Sequence, residues 1–443
     1  MKVRNQMSKK TVYVAMSTDL YHVGHVNIIN EAAKYGSVVV GVLIDEAIAT
    51  YKRPPILSTD ERMQIVANFK NVDKVVTQKT LDYTQNLEKL KPDYVVHGDD
   101  WRTGIQQKIR EEVIAVLAQW GGELIEVPYT HGKSLSGDKL SHELARALNT
   151  PTHRLSKLKK LLQLKPYIRA IDTSNGLTGL IAEHTRFVDE STMTVKEFDA
   201  MWVSSLCDSS FKGKPDIELV EMTSRIHTID EIMEVTTKPI ILDGDTGGKI
   251  EHFSYHVKTL ERMGVSAIII EDKTGLKQNS LFGTDAVQEL DDPENFALKI
   301  RAGKQAQATR DFMIIARLES LIAGRDVEDA LMRGKVYVEA GADAVMIHSK
   351  EKHGRDIFEF MKRFQEFSPS IPIVVVPTAY NQFTEDDLHA RGASIIIHAN
   401  HLLRSAYPAM LKTAESILAT GNSLQASKEN CMSIKEVLTF IQN

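Results

Sequence analysis

At roughly 150 residues per domain, 443 residues make two or three domains and exclude a single small module. The 42% hydrophobic and 26% charged residues exclude a disordered chain, and 54 basic against 59 acidic residues, with no long run of one sign, give no support to a nucleic-acid or acidic-membrane partner. The most apolar runs fall far short of the ~18 residues of a membrane span. The basic start lacks an apolar region with a cleavage site, and only Cys207 and Cys431 are present, without a CxxC, so we expect a cytoplasmic protein with neither a disulfide framework nor a structural zinc site.

In chain order, a strand at 11–16 leads through a polar turn to a helical pattern at 26–35, and a second strand follows at 37–45. A basic, proline-containing loop at 51–55 precedes a helix announced by Ser58, Thr59 and Asp60. Further short strands are expected at 74–77, 94–97 and 123–127, alternating with helices as in a parallel α/β sheet. A charged helical stretch at 137–148 ends at the Thr-Pro-Thr break of 150–152. We place the domains at 1–148 and 164–443, with 149–163 as a linker or packing helix.

The second part carries apolar runs at 167–172, 199–204, 239–243, 266–272, 312–317, 342–348, 371–377 and 393–398, each ending in polar residues and followed by a helical pattern. Eight such units are the count of a (β/α)8 barrel, in which chemistry gathers at the C-terminal strand ends. Here those ends carry Ser204, Asp243, Asp245, Glu271, Arg317, His348 and Asn400, an inventory suited to an anion and a divalent metal.

His22-Val-Gly-His25 lies between a strand and a helix start, where backbone N–H groups and the helix dipole favour phosphate. Two imidazoles at that turn can donate to phosphate oxygens as charge builds on phosphorus, and Gly24 keeps the backbone close to the ligand. A pair of surface histidines is the alternative for an isolated HxGH match. Residues 18–21, Thr-Asp-Leu-Tyr, precede the motif, and Gly98-Asp-Asp-Trp101 ends a later strand. With these, residues 11–140 resemble the cytidylyltransferases, a nucleotidyltransferase family with a Rossmann-like domain. The resemblance implies that His22 and His25 hold the CTP phosphates, that Lys52 and Arg62 neutralise triphosphate charge, and that Thr18, Asp19, Asp99, Asp100 and Trp101 shape the nucleotide site. Gly132-Lys-Ser-Leu-Ser136 departs from the family's Gly-Ile-Ser-Thr-Ser segment, keeping hydroxyls at Ser134 and Ser136 for nucleotide contacts.

Glu271-Asp-Lys-Thr-Gly-Leu-Lys-Gln-Asn-Ser280 is the most specific signal in the chain. Two acids at a strand end, then a glycine-containing loop with Lys277, Asn279 and Ser280, suit a mobile lid over a metal-bound anion. Asp243-Gly-Asp245 ends the preceding strand, and carboxylates on adjacent strand ends can hold Mg²⁺ directly or through its waters. With Trp202-Val-Ser-Ser-Leu206, Asp216, Arg317, His348 and Pro377-Thr378, residues 165–443 resemble the phosphoenolpyruvate mutase/isocitrate lyase superfamily, in its mutase branch. The resemblance implies Mg²⁺ on Asp243, Asp245 and Glu271, and a substrate carboxylate received at Ser204, Ser205 and Leu206 beside Trp202 and Ser280. It further implies a migrating phosphoryl group held by Arg317, His348 and Asn279, with Lys277 acting in the closed lid. Asp216 admits two roles, positioning residue or transient nucleophile, and we prefer positioning.

The implied chemistry is isomerisation of phosphoenolpyruvate to 3-phosphonopyruvate. Residues 271–281 contain no cysteine, unlike the lids of isocitrate lyases, and Asn279 argues against phosphonopyruvate hydrolase. Joined to a cytidylyltransferase, such a mutase resembles the bifunctional enzymes of phosphonate biosynthesis, with 2-hydroxyethylphosphonate or 2-aminoethylphosphonate as acceptor of CMP. The alternative is a hydrolase or lyase barrel with a regulatory nucleotide-binding domain. By the same resemblance we expect a homo-oligomer, dimer or tetramer. His97, His252 and His398 are read as structural histidines, and Cys207 as a packed thiol.

Overall fold

A computed structural model describes residues 9–51, 53–102, 106–128, 149–189, 194–275, 277, 279–280 and 288–442. Lys52, the 132–136 segment with Ser134 and Ser136, and the helix expected at 137–148 lie outside the described residues. The chain divides into two compact units, with the boundary between residues 148 and 149 and with residues 186–196 grouped with the first.

The first unit is a parallel five-stranded sheet: β1 (Thr11–Met16), β2 (Ser37–Leu43), β3 (Lys74–Gln78), β4 (Tyr94–Gly98) and β5 (Glu123–Val127), in the order β3-β2-β1-β4-β5. β1 and β2 are rich in valine and buried on both faces, as sheets covered by helices on each side require. Alternate residues feed separate cores: Val12, Val14, Val38 and Val40 pack with Ile29 and Val66, whereas Tyr13, Val39 and Val95 pack with Leu87 and Val113. Strand order reverses between β1 and β4, and an open sheet of this kind binds ligands outside the carboxyl ends at that point. Ser58 caps the helix Thr59–Ala67 through a reciprocal box with Glu61.

The second unit is a closed barrel of parallel strands: β6 (Ile168–Asp172), β9 (Ala200–Val203), β10 (Ile240–Asp243), β11 (Ala267–Glu271), β12 (Met313–Leu318), β13 (Ala344–Ile347), β14 (Ile373–Val375) and β15 (Ala393–His398). The eight expected strands all occur. Residues facing the axis, among them Ala170, Trp202, Ile241, Ile269, Ile315, Met346 and Ile397, form one core, and the opposite faces form a second against the helices. A feature that no sequence pattern announced is the two-stranded sheet of β7 (Arg186–Asp189) and β8 (Thr194–Glu197), outside the barrel.

The segment expected as a linker or packing helix is the helix Pro151–Leu164, and it belongs to the barrel. Leu158 and Leu161 join the axial core and Leu155 the outer one, so three leucines on one face make it a plug. Its first turn meets the end of the helix Ile250–Met263, where Gly264 turns at φ +88° and a Cβ would stand 2.6 Å from the Pro151 backbone. Leu158 is fully buried, so Leu158→Ala should lower unfolding free energy by about 2–5 kcal/mol in a denaturant titration followed on the barrel. A loss under about 1 kcal/mol would mean a dispensable linker.

Glu385 ties β6 to β15. It accepts from Arg169 Nε at 2.6 Å and lies 2.8 Å from His398 Nε2. Burial pushes its carboxyl up, but the His398 and Arg169 hydrogen bonds prevail and hold it down at about 2. A carboxylate held low contributes stability that is complete above its ordinary pKa and is lost as pH falls through the folded value. Glu385→Gln should therefore destabilise the barrel at pH 7, and the gap from the wild type should close between about pH 4.5 and about pH 2. Denaturation midpoints across that range provide the check.

Candidate active sites

In the first unit, the helix Val23–Ala32 begins at the end of β1, and His22 is its N-cap. The His22 Nδ1 accepts from the Gly24 N–H at 3.1 Å, and the His25 Nδ1 accepts from the His22 N–H at 3.4 Å. Each neutral ring thus carries its proton on Nε2, a donor at the helix N-terminus. Burial pushes the His22 pKa down, which keeps that ring neutral. The rings lie 4.2 Å apart, centroid to centroid. A Cβ on Gly24 would stand 2.8 Å from His22 Cε1, so glycine there lets the ring fold back over the turn.

A pocket of about 580 Å³ opens at the β1/β4 crevice, lined by His22, Gly24, Asn27, Ile28, His97, Gly98, Asp100, Val127 and Pro128. Thr18 is buried at φ +52°, an uncommon conformation for a β-branched residue, with a hydroxyl that has no partner among the described residues. Asp19 accepts from the backbone of Ile56 (2.7 Å) and Leu57 (3.1 Å), so its observed contact is to the loop leading into Ser58. Asp99, Asp100 and Trp101 form a 3-10 turn after β4, and Trp101 is buried with its indole on Glu126 at 3.1 Å.

Arg62 departs from the expected phosphate-facing position. It is fully buried and donates to Ser17 O (2.5 Å), Leu57 O (3.1 Å) and Asp45 (2.5 Å), because a guanidinium fork can join three loops at once. It braces the crevice instead of lining it. His97, read from sequence as structural, does line the pocket; only the stacking of helix turn against strand end brings it there.

In the barrel, the C-terminal strand ends surround a pocket of about 450 Å³ lined by Trp202, Ser204, Ser205, Leu206, Asp216, Asp243, Glu271, Lys277, Asn279, Ser280, Arg317, His348, Val376, Thr378, Ala399 and Asn400. Every barrel site residue expected from sequence is in this lining except Asp245, which touches it through Lys277. Ser204 caps the helix Ser205–Phe211, and the Ser205 N–H and hydroxyl donate to Asp243 Oδ2 at 3.3 and 3.0 Å. Lys277 reaches Ser205 Oγ (2.8 Å), Asp216 (2.9 Å) and Asp245. Asn279 donates to the other Asp216 oxygen at 2.5 Å, so Asp216 anchors two residues of the glycine-containing loop.

Arg317 donates to Glu319 (2.5 Å) and Ser280 (2.8 Å), and its NH2 lies 2.9 Å from the His348 Nδ1. Burial, with Arg317 alongside, pushes the His348 pKa down. Behind them Asp272 accepts from Tyr337 (2.7 Å) and Arg333 (3.2 Å) and takes no part in the pocket.

Glu271 is buried, yet among the described residues neither of its oxygens has a hydrogen bond, and burial pushes it up to about 7 against the opposing charge of Arg317, with Glu319 adding repulsion. Asp243 is held low despite burial by Lys277, Arg317 and Arg225. A buried carboxylate with ion pairs to Lys273 (3.3 Å) and Arg317 (3.4 Å) but no hydrogen bond among the described residues, beside an ionised one, suits a hard divalent cation. Among the described residues no three His, Cys, Asp or Glu side chains form a ready cage, so such a cation would keep several waters, as Mg²⁺ does.

Sequence reasoning missed Arg225, because nothing local marks one arginine in the helix Met222–Val235. Buried, it donates to Asp245 Oδ2 (3.0 Å) and Val203 O (3.3 Å) and faces Asp208 at 3.8 Å. It holds Asp245 in the orientation that meets Lys277. Arg225→Gln should reduce turnover by the barrel about 10–100-fold and should add little in a Lys277→Ala background, because both act through Asp245. Fully multiplicative losses would show that Arg225 acts elsewhere.

A closed eight-stranded barrel with carboxylates, an arginine and a histidine converging at its C-terminal end is the arrangement of a (β/α)8-barrel active site. Residues 158–418 match the family model described as phosphoenolpyruvate phosphomutase, and residues 17–124 the one described as cytidylyltransferase-like. The phosphoenolpyruvate phosphomutase of Tetrahymena pyriformis is 34% identical over 287 residues, 65% of this chain and 90% of that one. The phosphonopyruvate hydrolase of Variovorax sp. strain Pal2 is 38% identical over 243 residues, 54% and 82% of the two chains. A crystal structure of phosphonopyruvate hydrolase in complex with oxalate and Mg²⁺ matches with a TM-score of 0.57 and 33% identity, covering 65% of this chain and 95% of that one. The chain belongs to the phosphoenolpyruvate phosphomutase family, and it carries a cytidylyltransferase-like domain in addition.

Proposed function

We propose that the barrel isomerises phosphoenolpyruvate to 3-phosphonopyruvate and that the first unit transfers CMP from CTP to a small phosphonate, either 2-hydroxyethylphosphonate or 2-aminoethylphosphonate. The observation that carries the first part is the engagement of Lys277 and Asn279 with Asp216 inside the pocket. A phosphoryl group passing from oxygen to carbon goes through a loose, metaphosphate-like state that water would capture. Lys277 and Asn279, fixed on Asp216 in the pocket lining, would help to exclude that water.

The substrate carboxylate would lie against the Ser204–Leu206 turn, and the phosphoryl oxygens against Arg317, His348 and Ser280. Mg²⁺, held by Asp243 and Glu271 with Asp245 nearby, would supply positive charge against the substrate's oxygens. Trp202, Val376 and Ala399 would pack on the enol carbon. In the first unit a phosphonate oxygen would attack the CTP α-phosphorus and release pyrophosphate, with the His22 and His25 Nε2–H groups stabilising the charge that builds there. We also propose a homo-oligomer: the helix His401–Thr420 buries no residue in the single chain and leaves Tyr407, Met410 and Leu418 exposed.

Hydrolysis of phosphonopyruvate is the second reading, favoured by the 38% identity to the Variovorax enzyme. Phosphonopyruvate supplied to the whole protein with Mg²⁺ decides between them by ³¹P NMR. Phosphoenolpyruvate as product supports the mutase; pyruvate with inorganic phosphate overturns it. Under CTP and pyrophosphatase, a coupled pair of signals for a phosphonate–phosphate anhydride would establish the transfer and its acceptor.

A further inference from the structure

Behind the lining of the barrel pocket lies a carboxylate to which the proposed isomerisation gives no part. Glu319 follows β12 by one residue, and strand alternation puts it on the axis side with Ile315 and Arg317. It is fully buried, does not line the pocket, and donates its backbone N–H to Asp272 Oδ1 at 2.9 Å. Its Oε1 accepts from Arg317 Nε at 2.5 Å and its Oε2 from Ser280 Oγ at 2.6 Å, with Lys273 Nζ 3.5 Å away. Burial opposes its charge, but Arg317 alongside holds the carboxyl well below its ordinary value.

These contacts decide which atoms of the neighbouring groups remain for a ligand. Glu319 takes the Nε of Arg317, while Nη2 is shared between Ser280 Oγ (2.8 Å) and His348 Nδ1 (2.9 Å). Among the described residues Nη1 makes no hydrogen bond, and Arg317 lines the pocket. His348 meets both Arg317 and Glu319 (3.1 Å) at Nδ1, so Nε2 is the ring nitrogen left for a ligand. Glu319 therefore grips the guanidinium from two directions, at Nε directly and at Nη2 through Ser280, and abuts the imidazole. Arginine and histidine stand at the ends of different strands, β12 and β13, and this one carboxylate joins them.

We propose that Glu319 is a positioning residue for the phosphoryl group: it sets Arg317 and His348 so that Nη1 and Nε2 meet the oxygens of that group as it migrates. The inference rests on the reading that the barrel acts on phosphonopyruvate, and it deepens that reading. A loosely bonded phosphoryl group leaves the protein little covalent chemistry to do, so its stabilisation depends on charges and donors placed in advance. A misplacement of about 1 Å in such groups can cost about 100-fold in rate.

The test uses the whole protein with Mg²⁺ and two variants: Glu319→Gln, which keeps the shape without the charge, and Glu319→Asp, which keeps the charge at a shorter reach. Consumption of phosphonopyruvate is followed by ³¹P NMR whichever product forms. Oxalate, two carboxylates with no phosphoryl group, is titrated as an inhibitor to read the other end of the pocket. In Glu319→Gln kcat should fall about 10–100-fold while KM stays level or drops, because Arg317 without its counter-ion still attracts the anionic group. Oxalate inhibition should stay within about twofold of the wild type, and Glu319→Asp should recover part of kcat. A kcat within about threefold of the wild type, or a loss carried by KM instead, overturns the positioning role. Oxalate inhibition weakened by the same factor as kcat overturns it too, since that marks a pocket disturbed as a whole. Pyruvate and inorganic phosphate as products of the wild type overturn the mutase reading alone. A wild type that neither converts phosphonopyruvate nor binds it in calorimetry overturns both.

Discussion

Asp243→Ala is expected to abolish conversion of phosphonopyruvate by the barrel, a loss of at least about 10³-fold or ~4 kcal/mol of transition-state stabilisation, and to leave the proposed CMP transfer unchanged. Asp243 accepts from both the N–H and the hydroxyl of Ser205, the residue at the proposed carboxylate position. It is also the carboxylate that Lys277, Arg317 and Arg225 hold ionised, and therefore the one we propose as ligand for a divalent cation. The substitution would remove the proposed cation ligand and loosen the Ser205 turn together. Asp243→Asn separates these effects, since an amide oxygen still accepts from Ser205 but carries no charge. We expect Asn to be nearly as inactive as Ala by ³¹P NMR and to weaken Mn²⁺ binding followed by electron paramagnetic resonance. Substantial activity in Asp243→Asn would assign the residue a purely structural part.

His25→Ala should produce the converse, a fall of roughly 10²–10³-fold in pyrophosphate release with the barrel reaction intact. The His25 ring accepts from the His22 N–H and stands 4.2 Å from the His22 ring, so its removal deletes one donor and unties the other. Loss of the return bond of the cap also costs about 1 kcal/mol of helix stability. Thermal unfolding of the first unit should therefore shift only slightly while turnover collapses. If either substitution removed both activities from a folded protein, two independent sites would be the wrong description.

His97 illustrates a limit of sequence reasoning. His97 sits at the end of an apolar strand, where a histidine is ordinarily a satisfied structural residue, as His398 is against Glu385. What distinguishes the two is the parallel stack on Trp101 beside an open pocket, a relation among residues that come together only when β1, β4 and β5 align. Arg62 shows the reverse: a cation near a phosphate motif that burial turned into a brace.

The strand runs, the HxGH turn and the 271–280 loop were legible because each depends on local rules: the two-residue alternation of a sheet, the unpaired donors of a helix start, and polar residues where a strand must stop. Those rules determined the two architectures and nearly all of the barrel pocket, since the strands of a parallel barrel all point their carboxyl ends at one place. Tertiary structure alone decided which titratable groups share a site and in what state. Arg225 found Asp245 from a helix, Glu271 was left with ion pairs to Lys273 and Arg317 but no hydrogen bond among the described residues, and the leucines of the helix Pro151–Leu164 closed the barrel floor. Pairings of that kind depend on distances between residues far apart in the chain, and on the loss of water around them, neither of which a local pattern encodes.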